Sequence, residues 1–220
     1  MINSIKKVLV IGATGLVGKT LVLLLNQLDD CEKIDVIVRR ENKTFLQQKK
    51  IQQFVLDDFL LLNAEHVEGY SHVFSCLGST LKQAGSKQAF YNVDYKINAH
   101  LGNLLQDRPI HLLLLSSMNA NANSLFFYAK VKGQLEDDLK NLNLYRLSII
   151  QPSLLLGERD QARGLEDLAQ KLYQKLAAYL PKQGKYLPVT ASQVAHTMVE
   201  AARNQRESCE IYANLVIQKH

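Results

Sequence analysis

The chain has 220 residues, of which 47% are hydrophobic, and its 26 basic and 21 acidic side chains give a formal net charge of +5. This composition is ample for one hydrophobic core and excludes a disordered or fibrous protein. The basic residues occur only in short pairs, whereas nucleic acid binding requires a clustered basic face. The three cysteines are too few and too dispersed for a disulfide framework or a zinc site. A cytoplasmic protein without a bound metal is therefore expected.

Short apolar runs predict a series of buried β-strands. They cover residues 7–12, 34–38, 53–56, 72–77, 110–115 and 145–150, and a late run at 211–217 could add an edge strand. Helical periodicity lies between them, at residues 17–28, 90–105, 126–139, 165–180 and 192–203. This alternation predicts right-handed βαβ units and an α/β fold with a doubly wound, mainly parallel sheet. We expect one domain over residues 1–220, with a small cap formed mainly by residues 153–190.

The longest apolar stretch, residues 8–25, contains three glycines and Lys19. A membrane span needs about 20 consecutive apolar residues, so no membrane-spanning segment is expected. A secretory signal is not expected either, since no small-residue cleavage site follows the run.

A glycine-rich loop follows the first predicted strand and begins the first predicted helix. Gly12 permits the sharp turn, Gly15 lets the backbone approach a pyrophosphate, and Gly18 allows close packing of helix on sheet. The helix N-terminus adds free N–H groups for the phosphates. In this context the spacing predicts a dinucleotide-binding Rossmann fold, with the cofactor held by the residues of the loop: Gly12, Thr14, Gly15, Leu16, Val17 and Gly18.

Two arginines stand at the end of the second predicted strand, where an NAD-binding chain needs an acidic residue for the ribose hydroxyls. Arg39 and Arg40 would instead form charge-assisted pairs with a 2′-phosphate. NADP is therefore favoured over NAD. One of the two arginines could equally serve only to solvate the loop.

The ends of the third and fourth predicted strands supply further cofactor-binding candidates. Asp57 or Asp58 could accept a hydrogen bond from an adenine amino group, or could cap the turn before Phe59. The small-residue turn after the fourth strand lies where ligands bind in open α/β folds. Its candidates are Cys76, Leu77 and Gly78, with Cys76 interpreted as a small buried residue.

Two hydroxyl residues end the fifth predicted strand, and a tyrosine and a lysine follow on a helix. Tyr128 and Lys132 are four residues apart and so share a helix face. Reduction of a carbonyl needs a proton donor at the developing alkoxide, and a nearby ammonium makes a phenol a better donor at neutral pH. Ser117 would anchor the substrate oxygen, Tyr128 would exchange the proton, and Lys132 would tune the phenol and hold the ribose. The choice between Ser116 and Ser117 remains open.

These motifs together resemble the short-chain dehydrogenase/reductase superfamily. Within it, the chain is similar to the small atypical members of the Tat-interacting oxidoreductase subgroup. The resemblance covers nearly the whole chain and is carried by residues 12–18, 38–40, 76–80, 84–85, 114–117, 128–133 and 151–157. It implies NADPH binding, a seven-stranded sheet and a catalytic Ser117, Tyr128 and Lys132.

The resemblance also suggests roles for residues outside that set. It implies that residues around Pro152 line the nicotinamide side, and that Asn92 completes a proton-relay tetrad, although Asn92 could instead start a helix. The chain departs from the family pattern at Gln151 and in the asparagine-rich segment 118–127. Gln151 stands where relatives usually have arginine, which puts an ion pair in doubt. Arg159 and Arg163 could bind an anion or form surface salt bridges.

Three functions are compatible with the motifs. The favoured one is an NADPH-dependent oxidoreductase that transfers a hydride to a carbonyl of a small molecule. The alternatives are a catalytically silent NADPH-binding redox sensor or assembly factor, and a flavin or quinone reductase. We expect a small-molecule substrate and neither nucleic acid nor membrane as a partner, with homodimer formation left open.

Overall fold

A computed structural model describes residues 4–156 and 184–220. The predicted helix at 165–180, the two arginines Arg159 and Arg163, and most of the predicted cap lie outside the described residues. The single-domain expectation stays a prediction.

Strands and helices alternate along the described residues as the apolar runs predict. The strands are β1 Lys7–Ile11, β2 Lys33–Val38, β3 Ile51–Val55, β4 His72–Ser75, β5 His111–Leu115, β6 Arg146–Gln151, β7 Leu155–Leu156, β8 Val189–Thr190 and β9 Cys209–Ala213. The α-helices are α1 Leu16–Gln27, α2 Lys43–Leu46, α3 Leu81–Ala84, α4 Lys87–Tyr91, α5 Ile97–Leu105, α6 Phe127–Lys140, α7 Ala191–Asn204 and α8 Asn214–Ile217.

The main sheet has the strand order β3-β2-β1-β4-β5-β6-β9 in the part of the chain that the structure describes, and every neighbouring pair is parallel. This confirms the predicted seven-stranded, doubly wound sheet, including the late edge strand. The order reverses between β1 and β4. At that point the loops after the two strands diverge and leave a crevice at the carboxyl edge, where ligands bind in folds of this kind.

Helices cover both faces of the sheet, which explains why the central strands are continuous apolar runs. The edge strands β3 and β9 are partly exposed and contain polar residues, so the prediction that the third strand is buried is wrong. Along β1, Val8 and Val10 face the core that contains α1 and α7, whereas Leu9 and Ile11 face the core that contains α5 and α6. All four side chains are fully buried. Burial of each aliphatic side chain stabilises the fold by roughly 1.5–3 kcal/mol relative to exposure. None of the helices in the described ranges is long and apolar enough to cross a membrane.

The helix before β5 is interrupted by a π-helical turn. The helix α4 passes directly into a π turn at Asn92–Lys96, which passes into α5. Such insertions re-aim the side chains of the affected turn and are frequent at functional sites. Asn92 therefore lies within a continuous helix, so the alternative that it starts a helix is wrong.

The described part of the predicted cap is a short parallel pair of strands, β7 and β8. Asn214, at the start of α8, connects this pair of strands to the main fold. The Asn214 side chain accepts a hydrogen bond from the Ser153 N–H at 2.9 Å and donates one to the Leu187 carbonyl at 2.8 Å. The two ends of the cap segment are thereby held at the carboxyl edge of the sheet.

Two buried histidines lie at the opposite, amino edge of the sheet. The rings of His72 on β4 and His111 on β5 are 5.4 Å apart. His72 Nε2 lies 3.1 Å from the Ala202 carbonyl oxygen, and His111 Nε2 lies 2.8 Å from Ser148 Oγ and 3.0 Å from Gln205 Oε1. Burial is the main cause that lowers the pKa of His72 to about 4 and that of His111 to about 3.

This histidine pair predicts a loss of stability in mild acid. Because both folded-state pKa values lie below the ordinary value of 6.5, the unfolded chain takes up protons first as the pH falls. Stability is therefore fully present above pH 6.5 and is lost progressively toward pH 4. At pH 5 each histidine lowers the free energy of unfolding by about 2 kcal/mol relative to neutral pH. Urea denaturation at pH 7.5 and pH 5 would measure this loss.

A matched pair of variants isolates this effect. His111→Gln removes one of the two buried rings. We expect the loss of unfolding free energy between pH 6.5 and pH 5 to fall by about half. His196→Gln changes an exposed histidine on α7 and is expected to leave this loss unchanged. Equal losses in the wild type and His111→Gln would contradict the assignment.

Candidate functional site

The glycine loop after β1 has three different steric requirements at its three glycines. Gly12 has a φ of 75°, and a Cβ there would lie 2.6 Å from the Cys76 carbonyl carbon. A Cβ on Gly18 would lie 2.2 Å from the Gly12 carbonyl oxygen. At Gly15 the nearest atom to a Cβ is the Gly12 oxygen at 3.4 Å, an ordinary contact. The protein itself therefore requires glycine at positions 12 and 18, whereas at position 15 the described residues leave open space above the loop.

The N-terminus of α1 faces this open space. Gly15 occupies the cap position without a side-chain hydrogen bond, and the first turn carries no acidic residue. The free N–H groups and the positive end of a 12-residue helix are therefore available to an anion.

A cleft of about 560 Å³ opens beside the loop at the carboxyl edge of the sheet. The residues that line it come from the ends of β1, β2, β3 and β4. They are Gly12, Thr14, Ile37, Val38, Arg39, Arg40, Asp57, Phe59 and Leu77. Both arginines are exposed at the rim, where their guanidinium groups are free to meet a phosphate.

The structure separates the paired candidates after β3 and β4. Asp57 lines the cleft, whereas the Asp58 carboxylate accepts a hydrogen bond from the Leu60 N–H at 2.9 Å and caps the following turn. Leu77 also lines the cleft. The Cys76 thiol lies 4.0 Å from Met198 Sδ in the core, and burial raises its pKa to about 12.

The two serines after β5 have different partners. Ser116 donates its hydroxyl to the buried carboxylate of Glu136 on α6. Ser117 Oγ is buried and has no hydrogen-bond partner among the described residues. Since a buried polar atom normally has a partner, Ser117 is the serine available to a ligand.

Tyr128 and Lys132 lie one turn apart near the start of α6. The Tyr128 ring is half-buried and packs on Phe90, with ring centroids 5.3 Å apart. The Lys132 side chain is 3% exposed, and its Nζ lies 2.9 Å from Asp94 Oδ1. Burial lowers the pKa of Lys132, but the negative charges of Asp94 and of a Tyr128 phenolate raise it more, so the pKa lies above its ordinary value.

The helix before β5 contributes Asp94 and Asn98 to this region, and neither is among the predicted site residues. Asn92 instead accepts a hydrogen bond from the Gln88 side chain of the preceding turn at 3.1 Å. Asn98 accepts a hydrogen bond from Ser75 Oγ and donates to the Asp94 carbonyl at 3.2 Å. The spacing of four residues between Asp94 and Asn98 was a usable signal, because it places them on one helix face.

Gln151, at the end of β6, bonds to Glu136 on α6. Its side-chain amide donates to both carboxylate oxygens of Glu136 at 3.0 Å. The following residue, Pro152, is buried, and its carbonyl accepts a hydrogen bond from the Met118 N–H at 2.8 Å. The end of β6 is thereby held next to the segment that carries Ser117.

The asparagine-rich segment after Ser117 crosses α6 at Gly133. A Cβ on Gly133 would lie 2.1 Å from the Ala122 backbone nitrogen. The Asn121 N–H bonds to the Ala129 carbonyl at 3.0 Å, and the Asn121 side chain accepts from the Asn123 N–H at 2.8 Å. The asparagines thus form local turns that anchor the segment on the helix of Tyr128 and Lys132.

A family model described as HIM1 matches residues 33–183, which is more than half of the chain. The chain belongs to the HIM1 family. It is 31% identical over 200 residues to Protein FMP52-1, mitochondrial, of Scheffersomyces stipitis, covering 90% of this chain and 88% of the relative. It is 33% identical over 175 residues to Protein HTATIP2 of Rattus norvegicus, covering 78% and 72%. The resemblance to the Tat-interacting oxidoreductase subgroup is confirmed.

The fold is the Rossmann-type fold seen in solved structures of other proteins. The solved structure of MoeE5 in complex with UDP-glucuronic acid and NAD superposes with a TM-score of 0.69 at 14% identity, covering 93% of this chain and 75% of that one. The TM-score of this superposition establishes that the fold is shared.

The expectation of a cytoplasmic protein is wrong on this comparison. Relatives from several yeasts, including those from Debaryomyces hansenii and Candida albicans, carry the word mitochondrial in their names. Unpaired cysteines indicate a reducing environment. Free cysteines fit any reducing compartment, so they do not favour the cytoplasm over another one.

No group of three or more metal-ligating side chains is positioned to hold a metal ion within residues 4–156 and 184–220. The histidines of the amino edge instead bond to backbone and side-chain groups. The absence of a metal from the functional site stays a prediction.

Proposed function

We propose that the protein is an NADPH-dependent oxidoreductase that reduces a carbonyl of a small molecule. The observation that carries the proposal is the set of groups at the carboxyl edge of the sheet. Ser117 offers a buried hydroxyl that has no partner in the described part of the chain, Tyr128 offers a half-buried phenol, and Lys132 offers a buried ammonium on the same helix as Tyr128. A protein that only binds a nucleotide has no need of this combination.

The cleft residues fit a dinucleotide with a 2′-phosphate. The open space above Gly15 and the uncapped start of α1 suit a pyrophosphate, and the exposed Arg39 and Arg40 at the rim suit a second anionic group. The residues of the cleft would hold the adenosine half: Thr14, Ile37, Asp57, Phe59 and Leu77. When bound, the reduced nicotinamide supplies the hydride.

The side chains of this chain would handle the oxygen and the proton. The Ser117 hydroxyl donates a hydrogen bond to the substrate carbonyl oxygen and orients it. As the carbonyl carbon receives the hydride, its oxygen gains a negative charge, and the Tyr128 O–H donates a proton to that oxygen to give the alcohol. The Lys132 ammonium stabilises the phenolate that remains until Tyr128 recovers a proton from solvent.

Cofactor choice is the first test of this function. We expect NADPH to bind about 10- to 100-fold more tightly than NADH, because a charge-assisted contact with the 2′-phosphate contributes roughly 1.5–3 kcal/mol. Arg39→Ala and Arg40→Ala should reduce this ratio, with the larger loss at the arginine that contacts the phosphate. Fluorescence titration with both reduced cofactors in low salt measures the ratio.

Lys43→Ala, in the helix that follows the arginines, is a control for general loss of positive charge and is expected to keep the preference. Equal affinity of the wild type for the two cofactors would contradict the assignment of Arg39 and Arg40.

Turnover is the second test. The wild-type protein is incubated with NADPH and a panel of aldehydes, ketones and quinones, and the loss of absorbance at the nicotinamide band is followed. Reduction of an aldehyde or ketone supports the proposal, whereas reduction of quinones alone would favour a quinone reductase. Tight NADPH binding without turnover, accompanied by a change in assembly state, would favour the redox sensor or assembly factor instead.

A further inference from the structure

Asp94 is a buried carboxylate that contacts two different parts of the candidate site. It is fully buried in the π-helical turn. Its Oδ1 lies 2.9 Å from Lys132 Nζ, while its Oδ2 accepts hydrogen bonds from the Ser79 N–H at 2.9 Å and from the Ser79 hydroxyl at 2.8 Å. One side chain therefore joins the lysine of α6 to the loop after β4.

That loop is in close contact with the ion pair. A Cβ on Gly78 would lie 3.4 Å from both Asp94 Oδ1 and Lys132 Nζ. The preceding residue, Leu77, lines the nucleotide cleft. The loop thus runs from the cleft wall to the Asp94–Lys132 pair within three residues.

Three acidic or ionisable groups face the Lys132 ammonium. They are Asp94 from the neighbouring helix, and Tyr128 and Glu136 from α6 itself. Glu136 already accepts hydrogen bonds from Ser116 and from Gln151. Asp94 is the group in direct contact with the ammonium, and an ammonium buried without a counter-ion tends to lose its proton.

We propose that Asp94 is the positioning residue of this site, which keeps Lys132 protonated and fixes it against the loop that lines the nucleotide cleft. The consequence for nucleotide binding and turnover rests on the proposed function. The effect on the charge of Lys132 does not, and it can be measured on the nucleotide-free protein.

The first measurement compares Asp94→Asn with the wild type in urea from pH 7 to pH 9.5. Without the carboxylate, burial should lower the pKa of Lys132 below its unfolded value, so folding then disfavours the proton. The variant's deficit in stability is largest at pH 7. It shrinks as rising pH removes the proton from Lys132 in the folded variant, while the lysine of the unfolded chain, with its ordinary pKa of 10.5, keeps its proton. We expect the gap in urea midpoint at pH 9.5 to be less than about half of the gap at pH 7.

Asp138→Asn is the matched control, because Asp138 is an exposed carboxylate of α6 that accepts a hydrogen bond from Tyr95 across the same pair of helices. The difference in urea midpoint between Asp138→Asn and the wild type should be independent of pH over this range. A pH-independent gap for Asp94→Asn as well would overturn the proposal.

A second variant keeps the proposal testable if Asp94→Asn folds poorly. The double variant Asp94→Asn with Lys132→Met removes both charges, so no uncompensated charge stays buried. We expect it to have a higher urea midpoint at pH 7 than Asp94→Asn alone. A double variant that is no more stable than the single one would show that Lys132 does not depend on Asp94.

The nucleotide measurement is a separate arm. Asp94→Asn should weaken NADPH binding by about tenfold at pH 7.5, and the weakening should grow as the pH rises from 6.5 to 8.5 while wild-type affinity stays level. A loss that does not change with pH would overturn the link to the lysine charge. If the wild type binds no NADPH, the proposed function fails, whereas the urea experiment still decides the role of Asp94.

Discussion

Tyr128→Phe is expected to reduce turnover of a carbonyl substrate by about 100-fold or more, with NADPH affinity nearly unchanged. The substitution removes the hydroxyl that would protonate the alkoxide. It keeps the ring that packs 5.3 Å from Phe90, so the start of α6 should retain its structure. Steady-state kinetics on the best substrate of the screen, together with NADPH titration, measure the two quantities.

Two further variants calibrate this result. Lys132→Met should impair both turnover and NADPH binding, because the ammonium is assigned a role toward the phenol and another toward the ribose. Tyr145→Phe changes an exposed tyrosine before β6 and should alter neither. If Tyr128→Phe reduces a substrate as fast as the wild type, the proton comes from water or from the substrate, and direct hydride transfer to a flavin or quinone becomes the better account.

Gly15→Val is expected to abolish nucleotide binding while leaving the fold intact. A Cβ at position 15 has only the Gly12 oxygen of the described residues within 4 Å, at 3.4 Å, and the residue has an ordinary φ of −73°. The new methyl groups would therefore fill the space above the loop where a pyrophosphate approaches the backbone. NADPH titration and thermal unfolding of the nucleotide-free variant measure the two effects.

Gly18→Ala, in the same loop, is expected to affect the stability of the free protein, unlike Gly15→Val. Its Cβ would lie 2.2 Å from the Gly12 oxygen, so the turn between β1 and α1 must shift and the free protein should be destabilised. If Gly15→Val still binds NADPH, the open space above the loop is not the pyrophosphate site. Unfolding of Gly15→Val would instead show that the loop is a packing turn.

The predictable part of this protein follows from local and periodic signals. Apolar runs with turns between them determine strands buried on both faces, and the covering helices leave few arrangements besides a parallel, doubly wound sheet. The spacing of Gly12, Gly15 and Gly18 predicts a phosphate loop, because the geometry of the turn depends on adjacent residues. The four-residue spacing of Tyr128 and Lys132 likewise places them on one face of α6.

Contacts between residues distant in sequence were decided only by the tertiary structure. Asp94 lies 38 positions before Lys132, and neither residue type signals that the π-helical turn brings them to 2.9 Å. Ser116 bonds to Glu136, whereas Ser117 meets no hydrogen-bond partner within residues 4–156 and 184–220, although the two serines are equivalent in the sequence pattern. Sequence periodicity specifies which face of an element is buried. The partner that a buried polar atom meets depends on how separate elements pack, and therefore on the folded chain as a whole.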